Sequence, residues 1–263
     1  MSELCRMVNG SAGLTKNAIS ALKTKGIDTI VSNIRLTDGI YDSAEAITAS
    51  GNDVHSLGLK WCVNLELTAL LRNIISEVGS ESRMVVRKAE RSGFENVHKL
   101  FTKLSGADTA PDFVQIETGA FSSITEISFS FEEQTRMINA LINAAKAACP
   151  ESRIILASED STDNEKAKKW YNRFQVSGGK PFDIISLKYS LDSETLYDLS
   201  CNMSDLSRRF NADILIDLSA EEDAYSANLD LADVDSAINL VPLDRGFGTV
   251  YSDLVLDRAN LVA

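Results

Sequence analysis

The residues of this sequence with catalytic potential stand at the ends of short β-branched runs. Glu66 and Glu117 end two such runs, and Asp217 and Asp253 lie near the ends of two others. Carboxyl groups act as general acids, general bases or nucleophiles. They also bind divalent cations through oxygen, and the candidates for such a site are Glu66, Glu117, Glu159 and Asp253. Because the chain carries a net charge of −12, solvated acidic side chains at a rim are the simpler interpretation, and we predict no metal and no cofactor.

Other catalytic arrangements find little support. Neither His55 nor His98 lies at the end of a β-branched run, so no Ser-His-Asp triad is predicted. The cysteines are widely separated and form no C-x-x-C pair, which favours free thiols over disulfides and disfavours a zinc site. They are Cys5, Cys62, Cys149 and Cys201.

The elements that must position these side chains repeat along the chain. Seven β-branched runs predict strands, and amphipathic segments of helical period separate them. The predicted strands are 29–35, 60–66, 112–117, 153–157, 183–189, 213–218 and 248–255. The predicted helices are 14–25, 43–50, 65–77, 95–104, 131–148, 164–174, 193–210 and 233–239.

Strict alternation of strand and helix predicts parallel strands with right-handed crossovers. For residues 1–263 this favours one α/β domain, a (β/α)8 TIM-type barrel, with an open doubly wound sheet as the structural alternative. Only Leu4 to Val8 can supply a first strand, which leaves an imperfect barrel at this seam as an open alternative. The residues at the C-terminal ends of the strands are then the ones that carry function.

Two consecutive segments resemble a known enzyme family. They are Phe182-Asp-Ile-Ile-Ser-Leu-Lys-Tyr189 and Thr195-Leu-Tyr-Asp-Leu-Ser-Cys-Asn-Met-Ser-Asp-Leu-Ser-Arg-Arg-Phe-Asn-Ala-Asp-Ile-Leu-Ile216. They are similar to D-V-I-G-L-S-Y-Y and T-L-x-D-L-x-x-N-(L/M)-x-D-L-A-x-R-Y-x-K-D-V-I-V-V-E-T of the family-53 glycoside hydrolases. Weaker agreement extends from Ala21 to Tyr251. The resemblance implies a (β/α)8 fold and endo-β-1,4-galactanase ancestry, with one catalytic Glu after strand 4 and another after strand 7.

The catalytic positions depart from the family pattern. The family's G-N-E becomes Glu117-Thr118-Gly119, which places Gly119 at the acid/base position. The family's V-V-E-T-A becomes Ile216-Asp217-Leu218-Ser219-Ala220, which places Leu218 at the nucleophile position. A retaining glycosidase needs two carboxyl groups about 5 Å apart. We therefore expect no catalytic residues and a lost or severely impaired reaction.

Relocated carboxylates are the alternative. Glu117 lies two residues before Gly119, so strand alternation directs it to the same interior side, one layer deeper. Asp217 lies one residue before Leu218, which turns it outward unless a bulge or register slip intervenes. An active β-galactanase-like glycosidase would use Glu117 and Asp217. We instead expect Glu117 to pair with Arg35.

Four residues are candidates for contacting a ligand in the barrel mouth, even without catalysis. They are Arg35, Glu66, Tyr189 and Asp253. Trp61 and Trp170 are expected to pack in the core or on a helix rather than to stack on sugars.

Composition limits the partners. The negative charge argues against nucleic acid, and no apolar run is long enough to span a membrane. No signal peptide is recognisable, which leaves the compartment open. We expect a binding or scaffold protein that uses the mouth for a carbohydrate, or the mouth or an outer surface for a protein partner.

Overall fold

Strands and helices alternate along the chain in the computed structural model, which describes residues 4–10, 14–37, 44–158, 163–189, 196–218, 238, 241 and 245–252. The strands are β1 Cys5–Gly10, β2 Thr29–Arg35, β3 Lys60–Glu66, β4 Phe113–Glu117, β5 Arg153–Ser158, β6 Ile184–Lys188, β7 Asp213–Asp217 and β8 Gly246–Ser252. The helices are α1 Lys16–Thr24, α2 Ala44–Ser56, α3 Thr68–Val78, α4 Ser82–Gly106, α5 Phe131–Ala148, α6 Asn164–Val176 and α7 Leu196–Phe210.

The eight strands form one closed parallel barrel in the order of the sequence. This confirms the predicted (β/α)8 class and excludes the open sheet. The first strand is longer than expected and pairs with both β2 and β8. The seam is therefore closed, and the predicted imperfection at the first strand is not found.

The chain contacts cluster into two compact units, each of which is described by itself. Unit 1 comprises Met1–Ser32, Ile155–Tyr171 and Phe182–Ala263. Unit 2 comprises Asn33–Ile154 and Asn172–Pro181. The expectation of a single domain stays a prediction.

Most element boundaries match the sequence prediction, and α4 is the main exception. The predicted helix at residues 95–104 is the second half of a 25-residue helix that begins at Ser82. The first half was not predicted because the charged stretch Arg87 to Arg91 obscures the apolar periodicity of the sequence there. Val85, Val86 and Ala89 are nevertheless buried. The predicted helix at 233–239 lies almost wholly outside the described residues, and Ile238 is helical.

Local signals explain where α5 begins. The side chain of Ser130 accepts a hydrogen bond from the backbone of Glu133, and the Glu133 side chain accepts one from the backbone of Ser130. This capping box satisfies two backbone donors that would otherwise have no partner.

Among the described residues, no helix is both long and apolar enough to span a bilayer.

Candidate functional site

The side chain of Trp61 identifies which face of β3 points outward in unit 2. A Cβ built on Gly51 of α2 would lie 2.5 Å from Cζ3 of Trp61, so the indole packs directly on the helix. Trp61 is fully buried, which confirms its predicted core role. Successive side chains of a strand point to opposite faces. Asn64 and Glu66 therefore point to the barrel interior.

Polar side chains of β2, β3 and β4 share this interior face. Asn64 donates from Nδ2 to Oδ1 of Asn33 and to Oε1 of Glu117, both at 2.9 Å. Arg35 and Glu66 form an ion pair with an Nε–Oε2 distance of 3.3 Å. We call this set the β2–β4 polar face; it consists of Asn33, Arg35, Asn64, Glu66, Gln115 and Glu117.

The pairing of Arg35 differs from the sequence expectation. Within the described part of the chain, its guanidinium contacts Glu66, and Glu117 accepts from Asn64 instead. The predicted Arg35–Glu117 pair is therefore wrong. Glu66 ends the strand adjacent to β2, whereas Glu117 ends the strand beyond it, so Arg35 meets the nearer carboxylate.

Two acceptor atoms of the β2–β4 polar face lack a donor. Asn64 and Gln115 are in register on β3 and β4 and are 2% and 4% exposed. Oδ1 of Asn64 and Oε1 of Gln115 are buried without a hydrogen-bond partner. A buried polar atom left in this state costs about 1–3 kcal/mol. This part of the interior face is therefore suited to a ligand that donates hydrogen bonds.

The residue that the family resemblance aligns with the acid/base position is Gly119, which has no side chain. Gly119 begins a short 3₁₀ turn, Gly119–Phe121, that follows directly on the end of β4. The carbonyl of Gly119 accepts hydrogen bonds from the backbone of Ser123 at 3.2 Å and from the hydroxyl of Ser122 at 2.8 Å. Ala120 and Phe121 are buried, so apolar packing fixes this turn. The nearest carboxylate before it in the chain is Glu117, which is half-buried.

The faces of β7 are identified by Gly246 in unit 1. Gly246 is in register with Ile214, and a Cβ on Gly246 would collide with the carbonyl oxygen of the helical residue Ile238. Ile214 therefore lies on the helix-facing side. The register irregularity between β7 and β8 skips Phe247 on β8, so β7 keeps its own alternation.

Alternation then assigns opposite sides to Asp217 and Leu218. Leu218 continues the face of Ile214 towards the helices and is fully buried. Asp217 lies on the interior face, in register with Lys188 of β6 and Val250 of β8. The sequence predicted that Asp217 turns outward unless a bulge or a register slip intervenes, and an irregularity of register is present between β7 and β8. Asp217 is only 3% exposed.

The remaining predicted ligand contacts fall in different environments. Tyr189 is 3% exposed, and its backbone N–H donates to the carbonyl of Asp217 at 2.9 Å. This bond continues the parallel pairing, so Tyr189 lies beside Leu218, and alternation places its side chain on the helix-facing side. Asp253 and Glu159 lie outside the described residues.

Several further residues have structural roles. Asp163 caps α6 by accepting from the backbone N–H of Lys166 at 3.0 Å, and this bond lowers the pKa of its carboxyl group. Trp170 packs edge-on against Tyr171 at 4.9 Å between ring centroids. None of the four cysteines forms a disulfide, as predicted, and burial raises the pKa of the Cys149 thiol. Within the described ranges, no group of three or more His, Cys, Asp or Glu is arranged to hold a metal ion.

Sequence reasoning missed the amides that organise the interior face. Asn33 and Asn64 each stand two residues before a candidate that was named, Arg35 and Glu66. The period of two along a strand was the signal that could have found them. Lys188 lies at a predicted strand end but was given no role, and it shares the interior face with Asp217.

Comparison with known proteins gives one family and many structures. Residues 86–250, more than half of the chain, match the family model described as glycosyl hydrolase family 53. The chain resembles the family-53 catalytic domain of Ignisphaera aggregans with a TM-score of 0.71 at 12% identity, covering 93% of this chain and 79% of that one. No curated protein sequence gives a significant match.

Two further structures share the fold. A GH5_18 protein of Streptomyces cattleya, solved with Manβ1-4GlcNAc, has a TM-score of 0.68 at 12% identity and covers 95% of this chain and 70% of that one. A β-mannanase of the blue mussel Mytilus edulis has a TM-score of 0.64 at 10% identity and covers 95% and 86%. At these identities the likeness concerns the fold alone.

Proposed function

The chain belongs to glycosyl hydrolase family 53, and from that premise we propose that its barrel has lost, or retains only severely impaired, glycosidase activity and acts as a binding or scaffold protein. The observation that carries the proposal is the chemistry at two strand ends. The position that the resemblance assigns to the acid/base is a glycine in a 3₁₀ turn, and the position that it assigns to the nucleophile is a fully buried leucine.

Each loss removes a distinct step of the reaction. A general acid that protonates the leaving oxygen contributes roughly 10²–10⁴ in rate. A carboxylate nucleophile opens the covalent route, and without it the glycosyl-enzyme intermediate does not form. Glu117 lies deeper on its strand than the lost acid and is held by Asn64. Asp217 is too buried to approach the anomeric carbon of a sugar without rearrangement.

The β2–β4 polar face favours a carbohydrate as the ligand of the mouth. It offers a cation, two carboxylates and three amides on one side of three neighbouring strands. The partnerless oxygens of Asn64 and Gln115 accept hydrogen bonds from hydroxyl groups, which sugars supply in number. Exposed Arg35 and half-buried Glu66 stand at the outer end of the same face. A protein partner at the mouth remains the other occupant of this proposal.

Hydrolysis assays test the loss of activity. The protein is incubated with galactan and with aryl β-galactosides, and release of reducing ends and of the aryl alcohol is followed. We expect no turnover above the uncatalysed background. Turnover that Glu117→Gln abolishes, and that the exposed control Glu126→Gln preserves, would overturn the proposal.

Binding is measured separately, so that loss of hydrolysis is distinguished from loss of ligand binding. Galactan oligosaccharides are titrated by calorimetry into the wild-type protein and into Asn64→Ala and Gln115→Ala variants. We expect binding that weakens by roughly tenfold in each variant, since a hydrogen bond to a buried partner is lost. If no binding heat is detected with oligosaccharides, a carbohydrate is excluded as the ligand, and a protein partner is the remaining candidate for the mouth.

A second candidate function is an active glycosidase that uses Glu117 and Asp217. The interior orientation of Asp217 favours it, because an outward Asp217 could not have reached any substrate in the barrel. In this case turnover is detected, and both Glu117→Gln and Asp217→Asn abolish it. Loss of turnover in only one of the two variants contradicts this candidate.

A further inference from the structure

We propose that a groove between α4 and α5 is a docking site for an acidic segment of a partner protein that carries an aromatic or large apolar side chain. The groove has a volume of about 540 Å³ and lies wholly within unit 2. It is separate from the strand ends, so the inference goes beyond the proposed function and does not depend on loss of catalysis. Its main lining residues are Arg87, Glu90, Arg91, Phe94, Arg136 and Lys180.

A close contact between the two helices lies next to the groove residues in the chain. Gly93 of α4 faces Leu141 of α5, and a Cβ built on Gly93 would lie 3.1 Å from Cδ2 of Leu141. A glycine at this position lets the two helices approach closely. Phe94 and Ala140, which line the groove, directly follow and precede these two residues, so the contact sets the spacing of the helices that carry the groove.

The charge of the groove is opposite to that of the molecule. Four cationic and two anionic side chains line it, in a chain with a net charge of −12. Arg136 is neutralised by a bidentate pair with Glu90 at 2.8 and 2.6 Å, and Arg91 pairs with Glu95 at 2.9 Å. Arg87 and Lys180 have no acidic partner among the described residues. Two uncompensated cations therefore face the groove.

The backbone fixes the position of Lys180. The side-chain amide of Asn139 on α5 donates to the carbonyl of Gly178 at 2.9 Å and accepts from the N–H of Lys180 at 2.8 Å. These two bonds hold the turn at Gly178 against the helix. Lys180 is thereby held at the rim of the groove, so less entropy is lost when an anion binds there.

An exposed aromatic ring supplies the apolar part of the site. Phe94 is 37% exposed and is one of the few large apolar side chains on the described surface. Its ring stacks on His98 with 5.6 Å between centroids and 10° between planes, which fixes its orientation. Cations around a rigid aromatic ring recognise a carboxylate next to an apolar side chain. A short acidic segment rather than a nucleic acid is the expected occupant, because a nucleic acid is charged along its whole length and is repelled by the acidic remainder of the chain wherever it extends beyond the groove.

Fluorescence polarisation of a short labelled peptide tests the docking site. The peptide consists of glutamates around a single phenylalanine, and the comparison peptides are polyglutamate and a lysine analogue of the same length. The wild-type protein is compared with Arg87→Glu/Lys180→Glu, with Phe94→Ser and with the control Arg83→Glu. Arg83 is exposed on the same helix and lies outside the groove.

We expect the glutamate–phenylalanine peptide to bind, and to bind roughly tenfold more weakly to each groove variant and at high salt. Arg83→Glu should change the affinity less than twofold, and the lysine peptide should not bind. The proposal is overturned if the peptide fails to bind, if Arg83→Glu weakens binding as much as the groove variants, or if polyglutamate binds equally well. It is also overturned if sedimentation shows self-association that Arg87→Glu/Lys180→Glu abolishes, since a second copy of the chain is then the occupant.

Discussion

The ends of β4 and β7, where the family resemblance puts the two catalytic carboxylates, differ physically. At β4 the aligned position is Gly119, and the nearest carboxylate, Glu117, lies on the interior face and is bonded to Asn64. At β7 the aligned position is Leu218, which is fully buried on the side of Ile214, while Asp217 lies on the interior face and is almost fully buried. The end of β4 is therefore polar, whereas the end of β7 is part of the packed core.

This difference shows that the barrel accepts either a glycine or a leucine at such a strand end. The turn at Gly119 is packed by Ala120 and Phe121, which are buried. A leucine on the helix-facing side adds apolar burial, which stabilises the barrel. The polar residues at β2, β3 and β4 are then the ones that need a functional explanation.

The largest expected effect comes from reversing the polarity of Leu218. Leu218→Glu buries an unpaired charge on the helix-facing side and should lower the free energy of unfolding by about 3–5 kcal/mol at neutral pH. Leu218→Met is the volume-matched control and should cost less than about 1.5 kcal/mol. Urea unfolding measures both. A glutamate variant as stable as wild type would place residue 218 at an open mouth and erase the difference between the two strand ends.

The same two strand ends show what the sequence could and could not predict. Strand positions followed from β-branched runs, because burial on both faces demands such residues, and β2 and β3 match their predicted bounds. The interior orientation of Glu117 was predicted correctly, because Glu117 lies two residues before Gly119 and side chains two apart on a strand share a face. The orientation of Asp217 was harder to predict, because it depends on which residues of β7 face the interior. The contact of Gly246 on β8 with Ile238 decides this, and the sequence does not show it. Amide partners such as Asn64 were missed because their role depends on neighbouring strands.

The bond between Asn64 and Glu117 gives the next effect. Asn64→Asp replaces the donor by a second carboxylate and should cost about 1–3 kcal/mol at neutral pH. Repulsion raises the pKa of the carboxyl pair in the folded state above its unfolded value. The variant's deficit should therefore be full at neutral pH and shrink as the pH falls towards about 4. Stability measured across this pH range checks it.

Asn73 provides the matched control for this charge change. It is exposed on α3, so Asn73→Asp should alter stability by no more than about 0.5 kcal/mol at any of these pH values. A pH-independent deficit in Asn64→Asp would mean that Glu117 does not face residue 64. The polar character of the β4 end would then lose its main support.

An effect of similar size tests the outward orientation of Trp61, from which the interior face of β3 is assigned. Gly51→Ala places a methyl group against the indole and should cost about 1–3 kcal/mol. Gly106→Ala is the helical control with open space around it, and it should be neutral or stabilising by up to about 1 kcal/mol. Thermal and urea unfolding compare the pair. Equal stability of the two variants would contradict the close contact of α2 with β3.

The smallest effect on stability, and the one that most sharpens the contrast with β7, is expected at Arg35. Its side chain is 77% exposed, so the ion pair with Glu66 is screened by water, and Arg35→Ala should change the free energy of unfolding by less than about 0.5 kcal/mol. The same variant should weaken oligosaccharide binding at the mouth severalfold, which calorimetry measures. A side chain that adds nothing to stability but supports a ligand belongs to a surface still used for binding. If Arg35→Ala leaves the affinity unchanged, the polar face is a remnant of the ancestral site, as inert as the end of β7.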